Sequence, residues 1–397
     1  MSFYDDNLVY ATPIPVPVPL APPDPVPVSG TTSQPSQNYT ISSGHADSID
    51  GTQLKRLKEQ GFTEGLAYSL NDTKSTFPLR IWVVDNSGSM QTTDGHCIVP
   101  TKKNKDMKII NCTRWKEIQE CVNYHIQLSG LLEARTSFRL LNNPGLTAGS
   151  QQFDISQMGK EMIHSEVDNA MNIISKTRPS GCTPLTSHVR DIYSTIQSMK
   201  DALQNEGKRV VVVLATDGLP SNDQGYSNDY VKDQFVQSLR NLEGLPVWLV
   251  IRLCTDDEEV VEFYNSLDDQ LELSMDVLDD FCGEAEEVYE HNPWMNYTLT
   301  LHRIREMGFH DRVLDMIDER PLTRGEVRDY CLLLFGVKHF DGLPDPELDW
   351  KGFISNIEKL LNNEALQWNP RKKKMSPWID LKKLDNKYGE GSACSIM

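Results

Sequence analysis

The sequence predicts a mixed α/β protein whose central element is a doubly wound, mostly parallel sheet over residues 77–290. Three nearly continuous apolar runs point to it: Leu79–Asp85 (LRIWVVD), Val210–Asp217 (VVVVLATD) and Val247–Leu253 (VWLVIRL). Runs of this kind are typical of strands buried on both faces of a parallel sheet. Amphipathic stretches of helical spacing separate them, at 115–132, 160–175, 185–203, 230–242 and 258–267. Strands alternating with helices define the α/β class, and in such sheets ligands sit beyond the carboxyl ends of the strands.

In chain order, residues 1–50 form a Pro/Ser-rich arm. PIPVPVPLAPPDPVP at 13–27 alternates proline with small apolar residues, and proline fixes φ and removes a donor, so polyproline II is expected rather than a packed strand. The arm continues rich in Ser, Gly, Thr and Gln and is expected to be disordered. A short helical segment follows over 51–76. Within the sheet region, shorter strands are expected at 137–141 and 151–155. Beyond it, a helical region spans 291–368, with three short helices inside 298–336, and a basic tail closes the chain over 369–397.

Two of the buried runs end in carboxylates, Asp85 and Asp217, which places both at the functional edge of the sheet. Asp85-Asn-Ser-Gly-Ser89 turns immediately after its strand, and a turn there aims Asp85, Ser87 and Ser89 at one point. Between the strands lies Ser180-Gly-Cys-Thr183-Pro184. Proline suits a first helical turn, which leaves Thr183 as the expected N-cap. Asp217-Gly-Leu-Pro220 is a turn sequence. Three hydroxyls and two carboxylates are the oxygen donors a hard cation such as Mg²⁺ takes while keeping some waters. Thiol and imidazole are absent from the set, which argues against zinc.

In that order and spacing, DNSGSM, SGCTPL and LATDGLP resemble the metal-ion-dependent adhesion motif of the von Willebrand factor A family, and all five of its positions match. The resemblance covers about half of the chain. It implies a Rossmann-like fold, direct coordination of Mg²⁺ (or Mn²⁺ or Ca²⁺) by Ser87, Ser89 and Thr183, and coordination by Asp85 and Asp217 directly or through water. It also implies a protein partner that presents an acidic residue to the metal, and a binding rather than a catalytic role. No P-loop, nucleophile elbow or zinc-hydrolase helix is present to support an enzyme.

One departure from the family pattern is a long insert between Met90 and Trp115, expected as a surface loop on the metal face. Its Lys102, Lys103, Lys105 and Lys108 are suited to an acidic partner. Its His96, Cys97 and Cys112, with Cys121 and His125 beyond, fit no common zinc spacing, although Cys121 and His125 share a helix face.

The ending Cys394-Ser-Ile-Met397 resembles a C-a-a-X prenylation box, with Met favouring farnesyl. A single lipid chain anchors only marginally. Arg371, Lys372, Lys373, Lys374, Lys382, Lys383 and Lys387 are the expected second, electrostatic signal towards an anionic leaflet. The expected location is the cytosolic face of a membrane. Several features agree: eight scattered cysteines suit reduced thiols, the first residues lack a signal-peptide pattern, and no run approaches the roughly 18 apolar residues of a spanning helix. A net charge of −18 excludes nucleic acid as a natural partner. Met307-Gly308-Phe309 between two short helices is similar to a ubiquitin-associated domain. An alternative reading is therefore a ubiquitin-linked adaptor whose A domain is the client arm. Neither the partner nor the oligomeric state is legible.

Overall fold

The computed structural model describes residues 49–100, 107–222 and 224–389. The Pro-rich arm, Lys102, Lys103, Lys105 and Cys394 lie outside the described residues.

The chain runs through α1 (Gly51–Glu59), α2 (Glu64–Thr76), β1 (Leu79–Val84), β2 (Gly95–Pro100), β3 (Met107–Cys112), α3 (Arg114–Leu132), β4 (Thr136–Leu140) and β5 (Gln152–Ile155). It continues with α4 (Ile163–Lys176), α5 (Leu185–Asn205), β6 (Val210–Thr216), α6 (Asp229–Arg240), β7 (Val247–Leu253), α7 (Glu258–Asn265), β8 (Met275–Leu278) and α8 (Phe281–His291). The last third holds α9 (Leu299–Glu306), α10 (Arg312–Asp315), α11 (Arg324–Phe335), α12 (Trp350–Leu361), β9 (Gln367–Asn369), β10 (Lys374–Ser376) and α13 (Leu381–Tyr388).

Six strands form one sheet in the order β5-β4-β1-β6-β7-β8. Only the β4–β5 pair is antiparallel. Side chains alternate across it with period two. Trp82, Val84, Val211, Val213 and Val250 enter a core beneath α3 and α4. Ile81, Val83, Val212, Leu214 and Ile251 enter a second core beneath α5, α6 and α7. The protein is thus mixed α/β around a mostly parallel sheet with helices on both faces.

The region after residue 290 departs from the expected separate module. Leu301, Ile304, Met307 and Phe309 share the first core with Trp82 and Val211. At Gly308, φ is +79° and an added Cβ would lie 2.3 Å from Val211 Cγ1. Arg80 of β1, buried among neutral groups, donates from Nε to the Met307 carbonyl at 3.3 Å. The Met-Gly-Phe turn is therefore pressed onto the sheet, with Met307 and Phe309 only 1% and 7% exposed. Its apolar side chains are spent in the core rather than presented as the free face that the ubiquitin-associated resemblance implies. The helices lean on one another and on the sheet because each has an apolar face too small to form a core alone.

The basic tail departs as well. Residues 367–376 form the antiparallel β9–β10 pair, and Trp378, Ile379 and Leu384 are buried. Arg371 pairs with Glu286 and stacks 3.4 Å from the Tyr289 ring centroid. Lys372 pairs with Asp380 at 3.2 Å, Lys383 donates to Tyr289 Oη at 3.1 Å, and Lys387 donates to the His291 carbonyl at 2.6 Å. Lys373, Lys374 and Lys382 are the exposed cations of the set that make none of these contacts. Through residue 389 this is a folded appendage, not a free segment.

Candidate metal centre

The five predicted positions lie on three loops at the carboxyl edge of β1 and β6. Asp85 continues the sheet ladder by donating its backbone N–H to the Ala215 carbonyl at 2.9 Å, which leaves its side chain fully buried. Asp85 Oδ1 accepts from the Ser87 backbone N–H at 2.8 Å. That Asx turn bends the chain away from the sheet. Asp85 Oδ2 accepts from Thr216 Oγ1 at 2.7 Å. Ser87 Oγ lies 2.9 Å from Ser89 Oγ, which donates to Asp217 Oδ1 at 2.9 Å. Asp85, Ser87, Ser89 and Asp217 thus form one continuous polar chain. Ser89 is exposed and opens the site to solvent, whereas Ser87 and Asp217 are buried.

Thr183 arrives on the loop before α5. Pro184, not Thr183, takes the N-cap position and makes no side-chain cap, so the threonine hydroxyl is not committed to the helix. Its loop is fixed by backbone: Ser221 N–H donates to the Thr183 carbonyl, and Thr183 N–H donates to Ser221 Oγ, both at 2.9 Å. Thr183 Oγ1 lies 3.9 Å from where a Cβ on Gly218 would stand, beside Asp217.

Residues that sequence reasoning missed hold the loops in register. Asn86 and Asn142 exchange hydrogen bonds, Asn142 N–H to Asn86 Oδ1 at 2.7 Å and Asn86 Nδ2 to the Asn142 carbonyl at 3.0 Å. Asn142 Nδ2 then reaches the Cys182 carbonyl at 2.8 Å. Gly181 has φ +93°, and a Cβ there would meet Asn142 Oδ1 at 2.6 Å. Also missed was Arg114, whose guanidinium bridges Asp217 Oδ2 at 3.0 Å and Asp94 at 2.6 Å.

Burial and the neighbouring Asp217 push the Asp85 carboxyl up to about 6. Burial also raises Asp217, against the pull of Ser89 and Arg114. Two buried carboxylates whose ionised forms are disfavoured make a place where a cation is strongly welcome. The donor set is all oxygen, so the residues present fit a hard divalent ion better than zinc.

The insert is not a plain loop. β2 and β3 pair antiparallel, and His96 sits against Asp280 at 3.0 Å. Cys121, His125 and Glu306 do come together, with ligand atoms within 4.8 Å of one another and all three buried. Glu306 there already faces Arg303 at 2.8 Å and Arg252 at 3.3 Å. Two guanidiniums leave no deficit of positive charge for a metal, so the trio belongs to a buried ion-pair network. Among the described residues, no helix is long and apolar enough to cross a membrane.

No protein-family model and no curated protein matches the chain. Among solved structures, the PilB minor pilin from Streptococcus sanguinis is similar at 15% identity with a TM-score of 0.33. A mutant form of the same pilin matches at 14% identity with the same TM-score. Each match covers 51% of this chain and 56% of that chain, so the match spans little more than half of the pilin's length.

Proposed function

We propose that this chain is a von Willebrand factor A type binding protein that captures an acidic side chain of a protein partner through Mg²⁺, Mn²⁺ or Ca²⁺. The observation that carries the reading is the convergence of Asp85, Ser87, Ser89 and Asp217 at one strand edge, with Thr183 beside Asp217. Two carboxylates shared with neutral hydroxyls leave a bound divalent ion incompletely neutralised, so it keeps an affinity for one more carboxylate. Asp85 and Asp217 would hold the charge, and Ser87, Ser89 and Thr183 would orient the ion. With these residues holding the ion, the role proposed is binding of a partner's carboxylate rather than hydrolysis. A farnesyl group on Cys394, with Lys373, Lys374 and Lys382 facing an anionic leaflet, would tether the protein to the cytosolic side of a membrane.

Thermal unfolding with excess Mg²⁺ or Mn²⁺ against EDTA tests the site. A ligand at a hundredfold excess over its Kd stabilises the native state by about 2.7 kcal/mol. Asp217→Ala should abolish that gain and, in the same preparation, abolish EDTA-sensitive capture of a carboxylate-bearing partner. Melting indifferent to metal in the unaltered chain would end this reading.

A further inference from the structure

Two free thiols near the metal loops face one another across the β2–β3 ribbon. Cys97 Sγ lies 2.7 Å from Cys112 Sγ, so a small side-chain movement brings the pair within the ~2.05 Å of a disulfide bond. The β2–β3 ladder pairs Cys97 with Ile110 and Gly95 with Cys112. The two cysteines therefore share a face of the ribbon, one diagonal step apart. Cys97 is buried and Cys112 half-buried, so Cys112 is the more accessible residue of the two. Contact with Cys112, then burial, drives the Cys97 thiol well above the ordinary thiol range.

The pair stands at the neck of the insert, where the chain leaves and rejoins the candidate metal centre. Asp94 precedes Cys97 by three positions and Arg114 follows Cys112 by two. These two residues form the bridge that reaches Asp217. The neck is tight: a Cβ on Gly95 would lie 2.9 Å from the Arg114 backbone nitrogen. A covalent link between the cysteines would hold the end of β3, and with it Arg114, against Asp217. A guanidinium seated there supplies positive charge that a divalent ion would otherwise bring.

We propose that Cys97 and Cys112 form a reversible disulfide that tightens the grip of Arg114 on Asp217 and so weakens cation binding. The second half rests on the reading of the metal site given above; the first does not. The oxidant is a low-molecular-weight disulfide such as oxidised glutathione. The Cys112 thiolate attacks it, forming a mixed disulfide and expelling one glutathione thiolate. Cys97 then gives up its proton and attacks the Cys112 sulfur, expelling the second. The two thiol protons end on the two glutathiones, and the two electrons lost by the cysteines reduce the glutathione disulfide. In a reducing cytosol such a pair acts as a sensor rather than as a structural staple.

The full chain is incubated with oxidised glutathione, alkylated, and mapped by peptide mass, then titrated with Mn²⁺ before and after reduction. The expected result is a linked Cys97–Cys112 peptide pair, lighter than the reduced pair by two hydrogens. Mn²⁺ affinity should be roughly fivefold or more weaker in the oxidised form. In Cys97→Ser, Cys112 should stop at the glutathione adduct, and Mn²⁺ affinity should no longer follow internal disulfide formation. Both thiols remaining alkylatable, or Cys112 held only as the glutathione adduct in the unaltered chain, overturns the disulfide. Equal Mn²⁺ affinity in the two forms overturns the coupling. No Mn²⁺ binding in either form removes the cation reading and the coupling together, and leaves the disulfide standing on its mass.

Discussion

At the scale of single residues, burial changes what each side chain can do. Arg80, in the middle of β1, is fully enclosed, and burial alone pulls its guanidinium down to about 10. It is tolerated because its donors reach the Met307 and Phe77 carbonyls and Thr73 Oγ1. Gly308 sits at the other end of that contact. Its positive φ of +79° and the 2.3 Å approach of Val211 to an added Cβ act together, so Gly308→Ala should destabilise by about 2–5 kcal/mol, from backbone strain and overpacking combined. Gly207→Ala is the control, because φ there is +63° and nothing lies within 4 Å of its Cβ. It should cost only about 1–2 kcal/mol. Equal losses in urea unfolding would show that the α9 turn does not press on the sheet. Asp85 and Asp217 were legible because each closes an apolar run, which marks a strand end. Asn86, Asn142 and Arg114 were not, since an amide or guanidinium that holds a loop from a distant strand has no periodicity of its own.

Among elements, the decisive packing is α9 against the sheet, and it depends on a buried carboxylate. Glu306 is fully enclosed among His125, His302, Arg303 and Arg252; burial pushes its carboxyl up, but the Arg303 charge and the contacts of His302 and His125 hold it well below the usual range. Glu306→Gln keeps the shape and removes the charge. It should destabilise by about 3–5 kcal/mol, because the arginines are then left without their counter-charge. Arg252 also pairs with Glu117, so a loss under 1 kcal/mol in urea unfolding would show that Glu117 alone satisfies it.

The β2–α8 contact makes a weaker, pH-dependent clasp. Asp280 lifts the His96 imidazole from 6.5 to about 9 against the cost of burial, with Glu117 and Asp256 adding to the rise. A raised basic group stabilises most below its unfolded value and loses the effect as pH climbs through its folded one. Stability should therefore fall between about pH 6.5 and about pH 9, by about 1 kcal/mol or less because the pair is part-exposed. His96→Gln should flatten that slope, as read from urea midpoints across the range. The antiparallel β2–β3 pair behind this clasp reads from sequence as a surface loop because of its lysines and its place after the metal loop. β8 was missed because its MDVL carries a carboxylate and is only partly buried, so it never presents the apolar run that announced β1, β6 and β7.

For the whole molecule, the question is where a folding unit ends. The strand–helix alternation suggested a domain closing near residue 290, followed by a helical region and a free basic tail. Each helix of that later region was legible from its own spacing, but helical spacing reveals an apolar face without revealing what the face covers. The core beneath α3 and α4 is continuous through α9, α11 and α12 into Trp378 and Leu384. Two further ties cross the same boundary. Gly65 of α2 lies so close to α11 that a Cβ would stand 2.4 Å from the Gly336 nitrogen, and Arg305 of α9 pairs with Glu284 of α8 at 2.6 Å. A chain spanning 49–291 would therefore uncover the part of that face which α9, α11 and α12 cover, and would cost Arg80 its Met307 partner and Glu284 its Arg305 partner. Burial of large apolar side chains contributes about 1.5–3 kcal/mol each, so losing even a handful exceeds the roughly 5–15 kcal/mol that separates a typical native domain from its unfolded state. The shortened chain should aggregate or unfold without a cooperative transition. The chain spanning 49–389 should melt in one step, with far-ultraviolet circular dichroism and tryptophan fluorescence following the same curve. If 49–291 instead melts cooperatively and keeps its Mg²⁺ response, the sheet is an independent domain and the helices after it are a detachable cover.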